Sequence, residues 1–180
     1  MLEDVVKDSG GDNGAGLKRT IYFALIADVL TWPTFGASAT YADLATFTTA
    51  FAMVSTKRFW SFVADVRRNS LESISAGERG SLSSINKLEI VRAKFNASVA
   101  GFLRQHKNDD MVFICEDLNG QLRVLGSNDL PAELVNFTIP SGAEVSDDKN
   151  TKITVEAVGE IAPHYGTIAV PLAIPLTPAV

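Results

Sequence analysis

The sequence is poorest in the residues that do chemistry. Cys115 is the one cysteine among 180 residues, so neither an internal disulfide nor a cysteine-rich zinc site can form. Cys115 lies in the apolar run Met111–Cys115 and reads as a small buried hydrophobe rather than a reactive thiol. Histidine occurs twice, as His106 and His164, and neither sits in a His-x-x-x-His or Cys-x-x-Cys spacing. Both read as capping or solvent-edge residues. No Gly-x-Ser-x-Gly elbow is present; Gly36-Ala37-Ser38-Ala39-Thr40 lacks the second glycine. Gly11–Lys18 resembles a phosphate loop only superficially. Leu17 stands where the lysine belongs, and a strand, not a helix, is expected to follow.

Charge of one sign is also missing in any concentrated form. The net charge is −5, and basic residues are scattered in short pairs such as Lys57-Arg58 and Arg67-Arg68. A nucleic-acid footprint needs a denser basic patch. Asp109-Asp110 and Asp147-Asp148 are neighbours whose side chains diverge along a strand, so neither pair is a ready acid–base couple. Asp147, Asp148 and Asn150 lack the glycine and closing glutamate of a helix–loop–helix calcium site. The apolar run Ile21–Leu30 is broken by Asp28 and too short to span a bilayer, and the acidic segment Met1–Asp12 is no signal peptide. Asn96-Ala97-Ser98 and Asn136-Phe137-Thr138 match the glycosylation sequon, and since no secretion signal is expected both read as chance matches. No enzyme, cofactor or metal is implied, and a soluble chain is expected.

What is present is the material of a β-rich fold. Apolar residues make up 46% and charged residues 21%, ordinary values for a folded domain. Residues 8–16 are glycine-rich and read as a flexible arm. Ile21–Ile26 suits a buried strand, closed by Thr31-Trp32-Pro33. Residues 34–46 read as a loop. Strands are expected at about Ala45–Thr56 and Phe59–Arg67, the latter with the apolar set Trp60, Phe62, Ala64 and Val66 on one core face. Leu71–Ala93 reads as a hairpin with a tip of roughly 8–10 residues, longer than the usual 2–5.

Asn96–Lys107 is the one strong helix, with Asn96 as N-cap and Val99, Phe102, Leu103 and His106 on its buried face. Met111–Glu116 and Gln121–Leu125 read as a hairpin whose Asn119-Gly120 pair suggests a type I′ turn. Residues 126–131 turn again, and 140–150 form a polar loop. Thr151–Val158 alternates Ile153, Val155 and Ala157 with polar residues, a half-buried strand. Ile168–Val180 is almost wholly apolar but carries Pro171, Pro175 and Pro178, which block helix and central strand alike. Such an extended segment needs a surface to cover, on its own domain or on a neighbour.

The expected architecture is mainly β (α+β): an antiparallel sandwich or barrel over 17–166 with one flanking helix and a long hairpin loop. An N-terminal arm spans 1–16 and a proline-rich C-terminal arm 167–180. With a helix at Asn96–Lys107 preceding a hairpin that ends Val124-Leu125-Gly126-Ser127, this organisation resembles the tail tube proteins of tailed bacteriophages and the inner tubes of contractile injection systems. The resemblance lies in element order and not in a short motif. It implies a virion tail subunit, made in the host cytoplasm, that self-assembles into stacked hexameric rings. DNA would pass without specific binding through an acidic lumen, and other tail or head–tail proteins would be partners. It further implies that Gly77, Glu78, Arg79 and Leu82 stack rings, and that Ile168, Val170, Leu172 and Ile174 lock neighbours. A capsid decoration, head-fibre or head–tail joining subunit, or a small ligand- or peptide-binding β module, would share many of these features.

Overall fold

A computed structural model describes residues 15–36, 40–65, 68–93, 95–140, 150–159 and 161–165. The fold is mainly β, with ten strands, two α-helices and one 3-10 turn (Ile26–Asp28) among these residues. The strands are β1 (Leu17–Leu25), β2 (Val29–Thr31), β3 (Ala52–Met53), β4 (Trp60–Val63), β5 (Ser70–Ala76), β6 (Ser83–Arg92), β7 (Met111–Asp117), β8 (Leu122–Leu125), β9 (Glu133–Thr138) and β10 (Thr151–Gly159). The helices are α1 (Tyr41–Ala45) and α2 (Ala97–His106). Two four-stranded antiparallel sheets, ordered β4-β1-β7-β8 and β5-β6-β10-β9, face each other; β2 and β3 pair separately.

The β4-β1-β7-β8 sheet is covered on both faces. Met111, Phe113 and Cys115 of β7 point into the core between the sheets, with Ile21, Leu88, Ile90, Ile153 and Val155. Val112 and Ile114 point the other way, into a second core of Phe51, Met53, Phe59, Val124 and Tyr165. Burial on both sides explains why Met111–Cys115 is an unbroken apolar run and not an alternating one. The second core is roofed by the excursion between β1 and β4, where the Tyr165 hydroxyl accepts a hydrogen bond from the Phe51 amide at 2.9 Å. Burial pushes the Tyr165 pKa up, partly offset by that hydrogen bond.

Helix α2 starts where Asn96 Oδ1 accepts from the Val99 amide at 3.0 Å, and it buries Val99 and Leu103 against the main core. Phe102 packs edge-on against Phe23, ring centroids 5.0 Å apart. His106 Nδ1 lies 2.8 Å from the Asp109 carboxylate, beside the helix end.

Several local expectations are corrected. Residues 34–46 are not all loop: Thr40 and Asp43 form a capping box and start α1. The strand expected over Ala45–Thr56 reduces to β3 and two isolated bridges, Phe35 with Phe47 and Thr46 with His164. Of the apolar set expected over Phe59–Arg67, Phe62 in β4 and Ala64 just after it are buried, Trp60 stands exposed at the sheet edge under the Arg58 guanidinium, and Val66 lies outside the described residues; Phe59 fills the second core. Strand β9 runs where no strand was expected. The Asn119-Gly120 turn is not type I′, because Gly120 alone has positive φ (85°). The Gly120 amide donates to Asp117 O and the Asp117 amide to Gln121 O, a three-residue loop in which glycine supplies the left-handed position. The β5–β6 ladder runs to Ala76↔Ser83, which shortens the tip to Gly77–Leu82.

Cys115 is fully buried, and desolvation pushes its pKa up to about 12 from 9.0. The folded state therefore holds the protonated thiol. That contribution is complete below pH 9.0 and declines as pH rises toward 12, by at most about 1.4 kcal/mol per pH unit. Native protein at pH 8 is expected to resist thiol reagents that label it fully in denaturant. Cys115→Ala should flatten the alkaline fall in the urea midpoint; rapid native labelling or an unchanged slope would contradict this reading.

Candidate assembly surfaces

Among the described residues the outer face of the β5-β6-β10-β9 sheet is exposed or half-buried along its glutamate rows and buried at its Val91 end, and its composition follows from register. Glu72 of β5 lies opposite Lys87 of β6, Lys87 opposite Glu156 of β10, and Glu156 opposite Glu133 of β9. The next row on that face is Ser70, Glu89, Thr154 and Asn136. Lys152 lies beyond it, level with Val91 and Thr138. The face thus carries Glu72, Glu89, Glu133 and Glu156 against Lys87 and Lys152. Glu133 and Glu156 are directly opposed like charges, which costs a sheet roughly 0.2–1 kcal/mol. Lys87 Nζ lies 3.0 Å from Glu89 Oε1. The hydrogen bond and charge of Glu89 raise the Lys87 pKa, and Glu156 and Glu72 add to the rise.

Both edges of this sheet are open among the described residues. β5 pairs only with β6, and β9 only with β10. Val135 and Phe137 stand about half exposed along the β9 edge, and Ile74 on β5 is similarly exposed. A shift in the β9–β10 register between Thr154 and Val155 leaves Val135 unpaired. The other sheet has less open edge. The segment 162–165 runs along β8, with the Val124 amide donating to Pro163 O and the Tyr165 amide to Leu122 O. His164 belongs to this segment, and its amide donates to Ala45 O.

The hairpin residues Gly77, Glu78, Arg79 and Leu82 all lie on the exposed tip, where the Ser81 amide donates to Glu78 O at 2.9 Å. Leu82 is 67% exposed, the largest exposure of any large apolar side chain among the described residues. Ile168, Val170, Leu172 and Ile174 lie outside the described residues, as do Asp147 and Asp148. The sequence reading missed the glutamate face and a cleft between Trp32, Phe35, Phe47, Leu130 and Val158. Alternating Glu72, Lys87, Glu89 and Glu156 carried a signal for the face; the cleft carried none.

Among the described residues no group of three or more His, Cys, Asp or Glu side chains is placed to hold a metal ion, and no helix is long and apolar enough to cross a membrane. Compared with models of protein families, with curated proteins and with solved structures, the chain matches none.

Proposed function

We propose that the chain is a structural subunit of a phage-type tail tube, whose copies join into rings around a channel lined by the outer face of the β5-β6-β10-β9 sheet. The observation that carries this reading is that one sheet face holds Glu72, Glu89, Glu133 and Glu156 in adjoining cross-strand rows and ends in two edges that no described residue pairs. Open edges invite pairing with another chain, and β5 of one copy meeting β9 of the next would close a ring. A carboxylate lining repels the phosphate backbone, so DNA would slide through without sticking. The exposed tip with Leu82 would contact the next ring.

Negative-stain microscopy over a range of protein concentrations tests the reading. Rings or tubes with a central channel are expected. Replacing Gly77–Leu82 by a two-residue Asn-Gly turn should leave rings that no longer stack. A monodisperse monomer at every concentration would sink the tube and favour a second reading, a ligand- or peptide-binding module built on the aromatic cleft.

A further inference from the structure

The outer sheet continues past β8. Residues 162–165 lie antiparallel to β8 through the Arg123–His164 bridge and parallel to the 45–47 stretch through Thr46 and His164. Alternation sorts the bonds. Pro163 O and the Tyr165 amide face β8, whereas the His164 carbonyl and amide face Phe47 and Ala45. Pro163 has no amide to give. Among the described residues two backbone bonds therefore hold this stretch to β8, Val124 N to Pro163 O at 2.9 Å and Tyr165 N to Leu122 O at 2.7 Å. Tyr165 is the anchor. Its side chain is fully buried, its ring lies 5.4 Å from that of Phe51, and its hydroxyl accepts from the Phe51 amide.

This short stretch holds more than itself. Among the described residues, every backbone hydrogen bond from residues 29–59 to a residue outside the 26–59 excursion ends on His164. The excursion's own elements are too small to stand alone: α1 has five residues, and β2 and β3 form a two-stranded ladder. The core between the two sheets does not depend on them. It takes no residue from 26–59 and only Ala162 from 161–165. Lifting 162–165 therefore dissolves the second core and leaves the sandwich its own core. It also bares the β8 edge and the apolar Val112, Ile114 and Val124 side chains beside it, and a bare apolar edge pairs readily with another chain.

We infer that residues 162–165 are a clasp: seated on β8, they hold the 26–59 excursion in place and keep that edge from pairing with another copy, and clasp and excursion open as one unit while the sandwich stays folded. The clasp stands apart from the tube reading, which uses the β5 and β9 edges. Amide hydrogen exchange of the full chain tests it. In the parent, the Phe47, Phe51, Val124 and His164 amides are expected to exchange through one common opening, about 10-fold or more faster than the β6–β10 ladder. Tyr165→Ala should strip protection from Phe47, Phe51 and Val124 while the ladder stays protected. Tyr165→Phe, which keeps the ring, should retain it. As the concentration of Tyr165→Ala is raised, Val124 should regain protection and light scattering should increase, because copies then pair through β8. One exchange rate for all sites in the parent would overturn the clasp, as would Phe47 and Phe51 opening independently of Val124 and His164. Val124 unprotected at every concentration of the variant would overturn the blocking of the edge. Should Tyr165→Ala fail to fold, exchange in the parent still decides the first point, and Tyr165→Leu, a milder truncation, takes its place for the second.

Discussion

Phe113→Ala is expected to lower the stability of the fold by about 3–5 kcal/mol, a large part of the 5–15 kcal/mol that holds a typical domain together. Phe113 is fully buried at the centre of β7, paired with Phe23 of β1 on one side and Leu125 of β8 on the other. Its ring lies in the core shared by the two sheets, 6.2 Å from the ring of Phe23. Truncation removes buried apolar surface and leaves a cavity that neighbours held in two ladders cannot collapse to fill. The urea midpoint should fall with little change in the denaturant slope. Trp60→Ala, at a site 48% exposed on the β4 edge, is expected to cost far less. Comparable losses at the two sites would contradict the assignment of Phe113 to the central core.

How much of this was legible follows from which contacts are local. The β7–β8 hairpin, the Asn96 cap of α2 and the alternation Ile153, Val155, Ala157 in β10 are written in adjacent residues, and the structure has all three. Strand β9 was not legible because its register shift breaks the period of two, and five of its six residues are exposed. Helix α1 is five residues long, so its capping box has no periodic face behind it. Nor was it legible that β7 is buried on both faces, because the residues over Val112 and Ile114 come from as far away as Phe51 and Tyr165. The glutamate face has the same origin. Alternation places Glu72 and Glu156 on one side of their strands, but only the order β5-β6-β10-β9 brings them into one row. Sequence order would have placed β6 beside β7, and these strands lie in different sheets.

Gly126→Ala is expected to cost about 2–4 kcal/mol, more than a left-handed backbone alone accounts for. Gly126 holds φ at +94°, a conformation that carries a penalty of roughly 1–2 kcal/mol for an alanine. A Cβ there would also lie 2.9 Å from both the Ala132 amide nitrogen and the Met111 carbonyl oxygen. Those backbones bond to each other reciprocally, Met111 N to Ala132 O at 3.1 Å and Ala132 N to Met111 O at 2.9 Å. The methyl group cannot be accommodated by turning a side chain; it must push apart the bridge that fastens the 126–132 loop to the start of β7. Gly101→Ala provides the opposite sign. Gly101 lies in α2 with nothing within 4 Å of a new Cβ, so alanine gains helix propensity of about 0.5–1 kcal/mol without a clash. Urea titrations of the two variants should therefore move to opposite sides of the parent. Tolerance at Gly126 would mean that the loop can leave β7 without loss, and the Met111–Ala132 bridge would then not be what fixes Leu130 beside the cleft.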